Sequence, residues 1–224
     1  METDAKLSKR KAYLVPFIIM IALGIVLFLP AGSLRFWEAW VYWLGFSALT
    51  FFIAAYFLKR SPELLSRRMK HKDENSPKKV PAIFNLFFIG FFIPGIDFRF
   101  HWSSVSAWVV IASSVIVFTG YVFIILVFRE NSFASTVIQV EKEQQVIATG
   151  PYAIVRHPMY LGLLFLLLFT PLALGSYWAV IPFLLSVPMN IFRIKNEEEV
   201  LLRELPGYKD YCSRTRYRLI PFIW

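Results

Sequence analysis

The sequence predicts an all-α, polytopic membrane helix bundle with four N-terminal spans plus a C-terminal helical hairpin. Three observations carry this reading. First, 57% of the 224 residues are hydrophobic by a count that leaves out glycine, above the about 45–50% usual for soluble domains even with glycine included. Second, the apolar residues fall in runs close to the roughly 20 that a helix needs to cross a bilayer. Third, the basic residues are confined to alternate segments. This composition excludes a disordered chain, a coiled coil and an ordinary soluble enzyme. A single cysteine, Cys212, excludes an internal disulfide framework, a Cys-only zinc site and a Cys-ligated iron–sulfur cluster. His71, His101 and His157 are too scattered to suggest a metal site.

The elements follow in order. The first span covers residues 12–29. It is read as retained, because Pro30-Ala31-Gly32 is a weak cleavage signal and the run is long for the apolar part of a signal peptide. The second covers 36–58 and carries Glu38 near one end, within reach of headgroups or water. Residues 61–79 form a polar linker in which Pro62-Glu63 opens a short interfacial helix carrying Leu64 and Leu65. The third and fourth spans cover 80–96 and 106–128. A last apolar stretch, 159–191, is broken at Gly175-Ser176 and kinked by Pro171, Pro182 and Pro188. Each of its arms is about 15 residues, or about 22 Å of helix, against a hydrocarbon core of about 30 Å. The pair therefore reads as a hairpin that either just spans with help from its flanks or is partly re-entrant. Two regions result: membrane spans over 1–128, with the loop 59–79, and a region over 129–224 that holds the hairpin and a polar tail.

Charge orients the bundle. Segments 1–11, 59–79, 129–157 and 193–224 hold 22 of the 24 Lys and Arg residues, and Arg35 and Arg99 are the other two. By the positive-inside rule both termini and both long polar segments face the cytoplasm. Most of these cations, Arg67 and Arg68 included, are then topology determinants and headgroup contacts. The net charge of +9 points to membrane lipid and not to nucleic acid, for which no module is present.

The first four spans carry almost no charge, which weakens a channel or pump reading. Polar residues concentrate in the segments flanking the hairpin. In Gly150-Pro151-Tyr152-Ala153-Ile154-Val155-Arg156-His157-Pro158-Met159-Tyr160-Leu161-Gly162, Pro158 suits the first turn of a helix. His157 then lies at that helix's N-terminal boundary, where free N–H groups and the dipole favour a carboxylate or hydroxyls; the plainer reading is a basic membrane flank. Beyond the hairpin, Arg193-Ile194-Lys195-Asn196-Glu197-Glu198-Glu199 places Arg193 and Glu197 on one helix face. Glu198 points about 100° away from Glu197. This run is either an exposed ion-paired helix or the counter-charge for a cationic ligand. The tail, with Tyr217, Arg218 and Trp224, is either an interfacial anchor or a cover over a ligand. Cys212, with no base evident nearby, reads as a packed thiol.

These residues match two linked patterns: GPYxxxRHPxYxG over Gly150 to Gly162, and RIxxEE over Arg193 to Glu198. With Leu201, Gly207-Tyr208, Tyr211 and Leu219-Ile220-Pro221, their order resembles the isoprenylcysteine carboxyl methyltransferase family of integral membrane, S-adenosylmethionine-dependent enzymes. The resemblance covers about the last third of the chain, and Leu205-Pro206-Gly207 stands where many members have Phe-Gly. It implies a cytoplasmic cofactor-binding region for S-adenosylmethionine built by His157, Tyr160, Glu197 and Glu198, with Arg193 as the catalytic residue that orients an acceptor carboxylate. It also implies a lipophilic small-molecule or prenylated substrate that enters from the bilayer. Alternatives are N-methylation of a phospholipid amine, a nicotinamide-dependent reductase of sterol-like substrates, and a membrane protein without catalysis. Those reductases resemble RHxNY where this chain has RHPMY, and the last alternative leaves the Arg193/Glu197/Glu198 cluster unexplained.

Overall fold

The computed structural model describes residues 2–68, 80–141 and 143–224, with side chains over 10–68, 89–141 and 143–224. Lys70, His71, Lys72, Lys78, Lys79 and Lys142, invoked above, lie outside the described residues. Eight α-helices follow one another among the described residues: α1 (Glu2–Ala31), α2 (Trp37–Arg60), α3 (Pro62–Arg68), α4 (Val80–Phe100), α5 (Ala107–Glu130), α6 (Pro158–Ala173), α7 (Val180–Glu204) and α8 (Tyr208–Arg214). Each of the four segments expected before residue 129 lies inside a helix to within one residue, since lipid leaves backbone groups no other partner than their own segment. Segments Arg10–Ala31, Trp37–Arg60 and Ala107–Glu130 are long and apolar enough to cross a membrane. α4 is a further helix of 21 residues. Large apolar side chains such as Leu29, Phe52 and Trp108 stay exposed on the bundle surface, as a lipid-facing surface requires.

The short interfacial helix also forms: Leu64 of α3 is buried against Phe57, Ile125 and Phe128. The last apolar stretch breaks between α6 and α7 at residues 174–179, around the expected Gly175-Ser176. Its arms differ in one respect from the expectation. α7 does not stop at the end of the apolar stretch but runs unbroken for 25 residues into the charged segment. Residues from the hairpin and from the RIxxEE pattern therefore share one helix.

The largest core joins α1, α2, α4, α5, α6 and α7 through Leu27, Phe36, Tyr42, Phe91, Val117, Leu174 and Phe183. Tyr42 Oη lies 3.1 Å from Thr170 Oγ1 inside it. α5 and α6 approach closely where two glycines face each other. A Cβ on Gly162 would stand 3.2 Å from the Gly120 carbonyl oxygen and 2.5 Å from Ile124 Cγ1. Small residues at a helix crossing allow such backbone contact. At the end of the bundle far from the polar tail, the buried Asp97 carboxylate accepts from Ser103 N and Oγ, both at 2.6 Å, and from Ser176 Oγ at 2.5 Å. That clasp ties the hairpin tip to the α4–α5 connection.

Candidate active site

The site is assembled where α5 ends, α6 begins and α7 leaves the apolar bundle. After α5 the chain runs without regular structure to a 3₁₀ turn, Gly150–Ala153. Gly150 adopts φ +55° there, a conformation open to glycine at little cost. Asn131 Nδ2 donates to Tyr152 Oη at 3.0 Å, and Tyr211 Oη donates to the Tyr152 carbonyl at 2.7 Å. The next residues meet the tail: Arg156 N donates to the Tyr217 carbonyl and His157 N to the Arg218 carbonyl, both at 2.9 Å. His157 is the N-cap residue of α6, with Pro158 in the first turn, as the spacing predicted.

Two charged arrangements follow from the two faces of α7. On one face, Arg193 Nε donates to Tyr160 Oη at 3.0 Å, and Tyr160 Oη donates to Glu197 Oε2 at 2.8 Å. Arg193 Nη2 also donates to the Thr136 carbonyl. On the other face, Glu198 is buried. Its Oε2 accepts from Arg218 Nε at 2.5 Å, and its Oε1 lies 2.7 Å from Arg156 Nε and 3.4 Å from His157 Nε2. Burial raises the Glu198 carboxyl pKa, but the contacts to His157 and Arg218 and the charge of Arg156 outweigh it and hold the value at about 2. Burial also pushes the Tyr211 hydroxyl up to about 12 and the Tyr208 hydroxyl higher still.

A pocket with an inner volume of about 90 Å³ lies between these elements. His157, Tyr160, Arg193 and Glu197 all line it. Glu198 does not; it stands behind the wall, fixing Arg156, His157 and the tail. Val137, Ile138, Val146 and Ile147 supply an apolar side. Arg156 Nε and His157 Nε2 are met by Glu198 Oε1 across the ion-pair contacts above, whereas Tyr208 Oη is buried without a hydrogen-bond partner. Buried polar groups are normally satisfied, so Tyr208, which lines the pocket, is a candidate contact for a polar ligand. No group of His, Cys, Asp and Glu among the described residues has the makings of a metal site.

Sequence reasoning missed three contributors. Tyr208 was visible only as part of a motif. Arg218 was read as anchor or cover, and it acts as a strap, paired with Glu198 and stacked with its guanidinium carbon 5.4 Å from the Trp224 ring centre. Arg68 was assigned to topology, yet it lies against the pocket wall at Met159 and Ser135.

A family model described as phospholipid methyltransferase (PEMT) matches residues 108–208, from the start of α5 to the start of α8. The fold is similar to that of a solved eukaryotic intramembrane Ras methyltransferase, isoprenylcysteine carboxyl methyltransferase (ICMT), determined without a monobody. The likeness has a TM-score of 0.51 at 18% identity and covers 98% of this chain and 96% of that one. No curated protein matches the sequence. The matched segment supports a methyltransferase, and the long apolar helices support an integral membrane protein. The family match falls on the segment that carries both motifs, and the likeness to the solved structure is one of fold.

Proposed function

We propose that the protein transfers a methyl group from S-adenosylmethionine to a carboxylate on a lipophilic acceptor, such as a prenylcysteine, at the cytoplasmic face of its membrane. The observation that carries this reading is the Arg193–Tyr160–Glu197 chain of hydrogen bonds on the wall of a pocket that His157 and Tyr208 also line. S-adenosylmethionine suits these residues: Glu197 offers a carboxylate to its ammonium or ribose, and His157 and Tyr208 offer polar atoms to its carboxylate or hydroxyls. Glu198 supports that site from behind by holding His157 and Arg156. When bound, the cofactor supplies a methyl carbon activated by a sulfonium; an oxygen–carbon bond forms to the acceptor as the carbon–sulfur bond breaks, and the electron pair stays on sulfur. The chain's own residues then have to align and enclose the reactants. Arg193, held through Nε and Nη2, presents a planar cation for a carboxylate. No proton has to move, because a carboxylate is already ionised at neutral pH.

The second reading is N-methylation of a phospholipid amine, favoured by the description of the matching family model. An amine must lose a proton, for which Glu197 is the candidate acceptor, and Arg193 would repel an ammonium. Transfer of radiolabelled methyl groups into lipid extracts separates the two. Methyl esters release volatile methanol in base, and this is the expected outcome. Base-stable label in the phospholipid fraction would establish the amine reading instead. Arg193→Lys keeps the charge and removes the fork; full turnover on a carboxylate acceptor would remove Arg193 from its role.

A further inference from the structure

α3 ends in two adjacent arginines with contrasting surroundings. Arg67 is well paired: Nε donates to Glu141 Oε2 at 2.8 Å, Nη1 donates to the Ser132 carbonyl at 2.9 Å, and Glu63 lies one turn back at 3.8 Å. Arg68 is not. Its Nη1 has two long contacts, the Ser135 carbonyl at 3.4 Å and Met159 Sδ at 3.5 Å, and its guanidinium lies 4.7 Å from the centre of the Phe128 ring. Among the described residues no carboxylate comes within ion-pair distance of it. A residue that serves only to set topology needs no such place, as the exposed Lys59 and Arg60 illustrate. A guanidinium stays protonated in proteins, so Arg68 holds a partly buried positive charge with no ion-pair partner among the described residues, an unfavourable state unless a ligand supplies one. Ser135 and Met159 both line the pocket that contains Arg193 and Tyr160. Burial lowers the Arg68 pKa; Tyr160 and Glu197 oppose that shift and Arg193 adds to it, which places Arg68 within electrostatic reach of all three.

We propose that Arg68 is the second arm, beside Arg193, of a receiver for the anionic group of the acceptor. The proposal rests on the methyl-transfer reading for the identity of that acceptor, but the receiver itself rests on the unpaired charge. Its two present contacts are long, so an anion can replace them with short, charge-assisted bonds. Arg68 acts on affinity more than on the chemical step. The acceptor's negative charge is consumed as the methyl group transfers, so a cation beside it favours the bound acceptor over the transition state.

Binding of decanoate and decylamine to the full-length protein in detergent, saturated with S-adenosylhomocysteine, tests this by calorimetry. The expected wild-type result is a preference for decanoate of at least tenfold. Arg68→Met should reduce that preference to less than threefold while the affinity for S-adenosylhomocysteine, which reports the fold of the site, stays within twofold. Arg68→Lys should keep a preference above threefold. The receiver is overturned if decylamine binds the wild type as well as decanoate, or if Arg68→Met keeps the tenfold preference. Failure of the wild type to bind S-adenosylhomocysteine at all would overturn the methyl-transfer reading instead, and the two carbon-chain probes would still report on Arg68 without it.

Discussion

The phenolic oxygen of Tyr160 joins the guanidinium of Arg193 to the carboxylate of Glu197, so those three side chains act as one unit, while the neighbouring Glu198 belongs to a different one. Two outcomes follow at this scale. Glu197→Gln and His157→Ala should each weaken S-adenosylhomocysteine binding by at least tenfold in calorimetry. Losing one charge-assisted contact removes about 1.5–3 kcal/mol, and about 1.4 kcal/mol is tenfold. Wild-type affinity in both folded variants would move the cofactor elsewhere. The second concerns pH. Glu198 titrates near 2 in the folded protein against an ordinary 4.5, so ionisation stabilises the fold. That contribution is complete above about pH 4.5 and is lost as pH falls toward 2. The thermal midpoint of the wild type should drop more steeply between pH 5 and pH 3 (roughly this window) than that of Glu198→Gln; parallel curves would show that the Arg156 and Arg218 pairings contribute nothing.

At the scale of elements, the glycine contact between α5 and α6 sets the position of Tyr160, two residues before Gly162. Gly162→Ala forces Ile124 aside and crowds the Gly120 carbonyl, and overpacking of this kind costs about 1–3 kcal/mol. A lower melting temperature in detergent is expected, and an unchanged one would mean that the helices separate freely. Much of this level was legible beforehand. Long apolar runs report helices directly because lipid permits little else. The spacing of Arg193 and Glu197 placed them on one face, and the first-turn proline placed His157 at a helix start. What stayed hidden are pairings across distant segments. Nothing local in 61–79 tells Arg67 from Arg68, since one finds Glu141 and the other the wall of a pocket built from residues much later in the chain. The same holds for Arg218, whose partner Glu198 is brought to it by a continuous α7 that the apolar pattern alone did not foretell.

For the molecule as a whole, the prediction drawn from the alternation of basic segments is that the pocket, the tail and both termini share the cytoplasmic side. Labelling of single cysteines in intact cells, in a Cys212→Ser background, checks this. Ser104→Cys should react with an impermeant reagent and Lys72→Cys should not. Ser104 is chosen over its neighbour because Ser103 is committed to the Asp97 clasp. The reverse pattern would put the pocket on the opposite face.

The length of α6 bears on how the enzyme sits in its bilayer. Sixteen residues make about 24 Å of helix, about 6 Å less than a typical hydrocarbon thickness. For a spanning α6 whose far end is tied through Ser176 to Asp97, the expected place of the deficit is the end that bears His157 and Tyr160, and lipids are predicted to thin around the pocket at a cost of fractions of a kcal/mol per Å. The reacting end of a lipid-dissolved acceptor then meets the pocket without climbing fully into the headgroup layer. In vesicles of graded acyl-chain length, methyl transfer should be fastest in the thinner bilayers and decline as the chains lengthen; a flat profile would mean that the bilayer leaves the depth of the pocket unchanged.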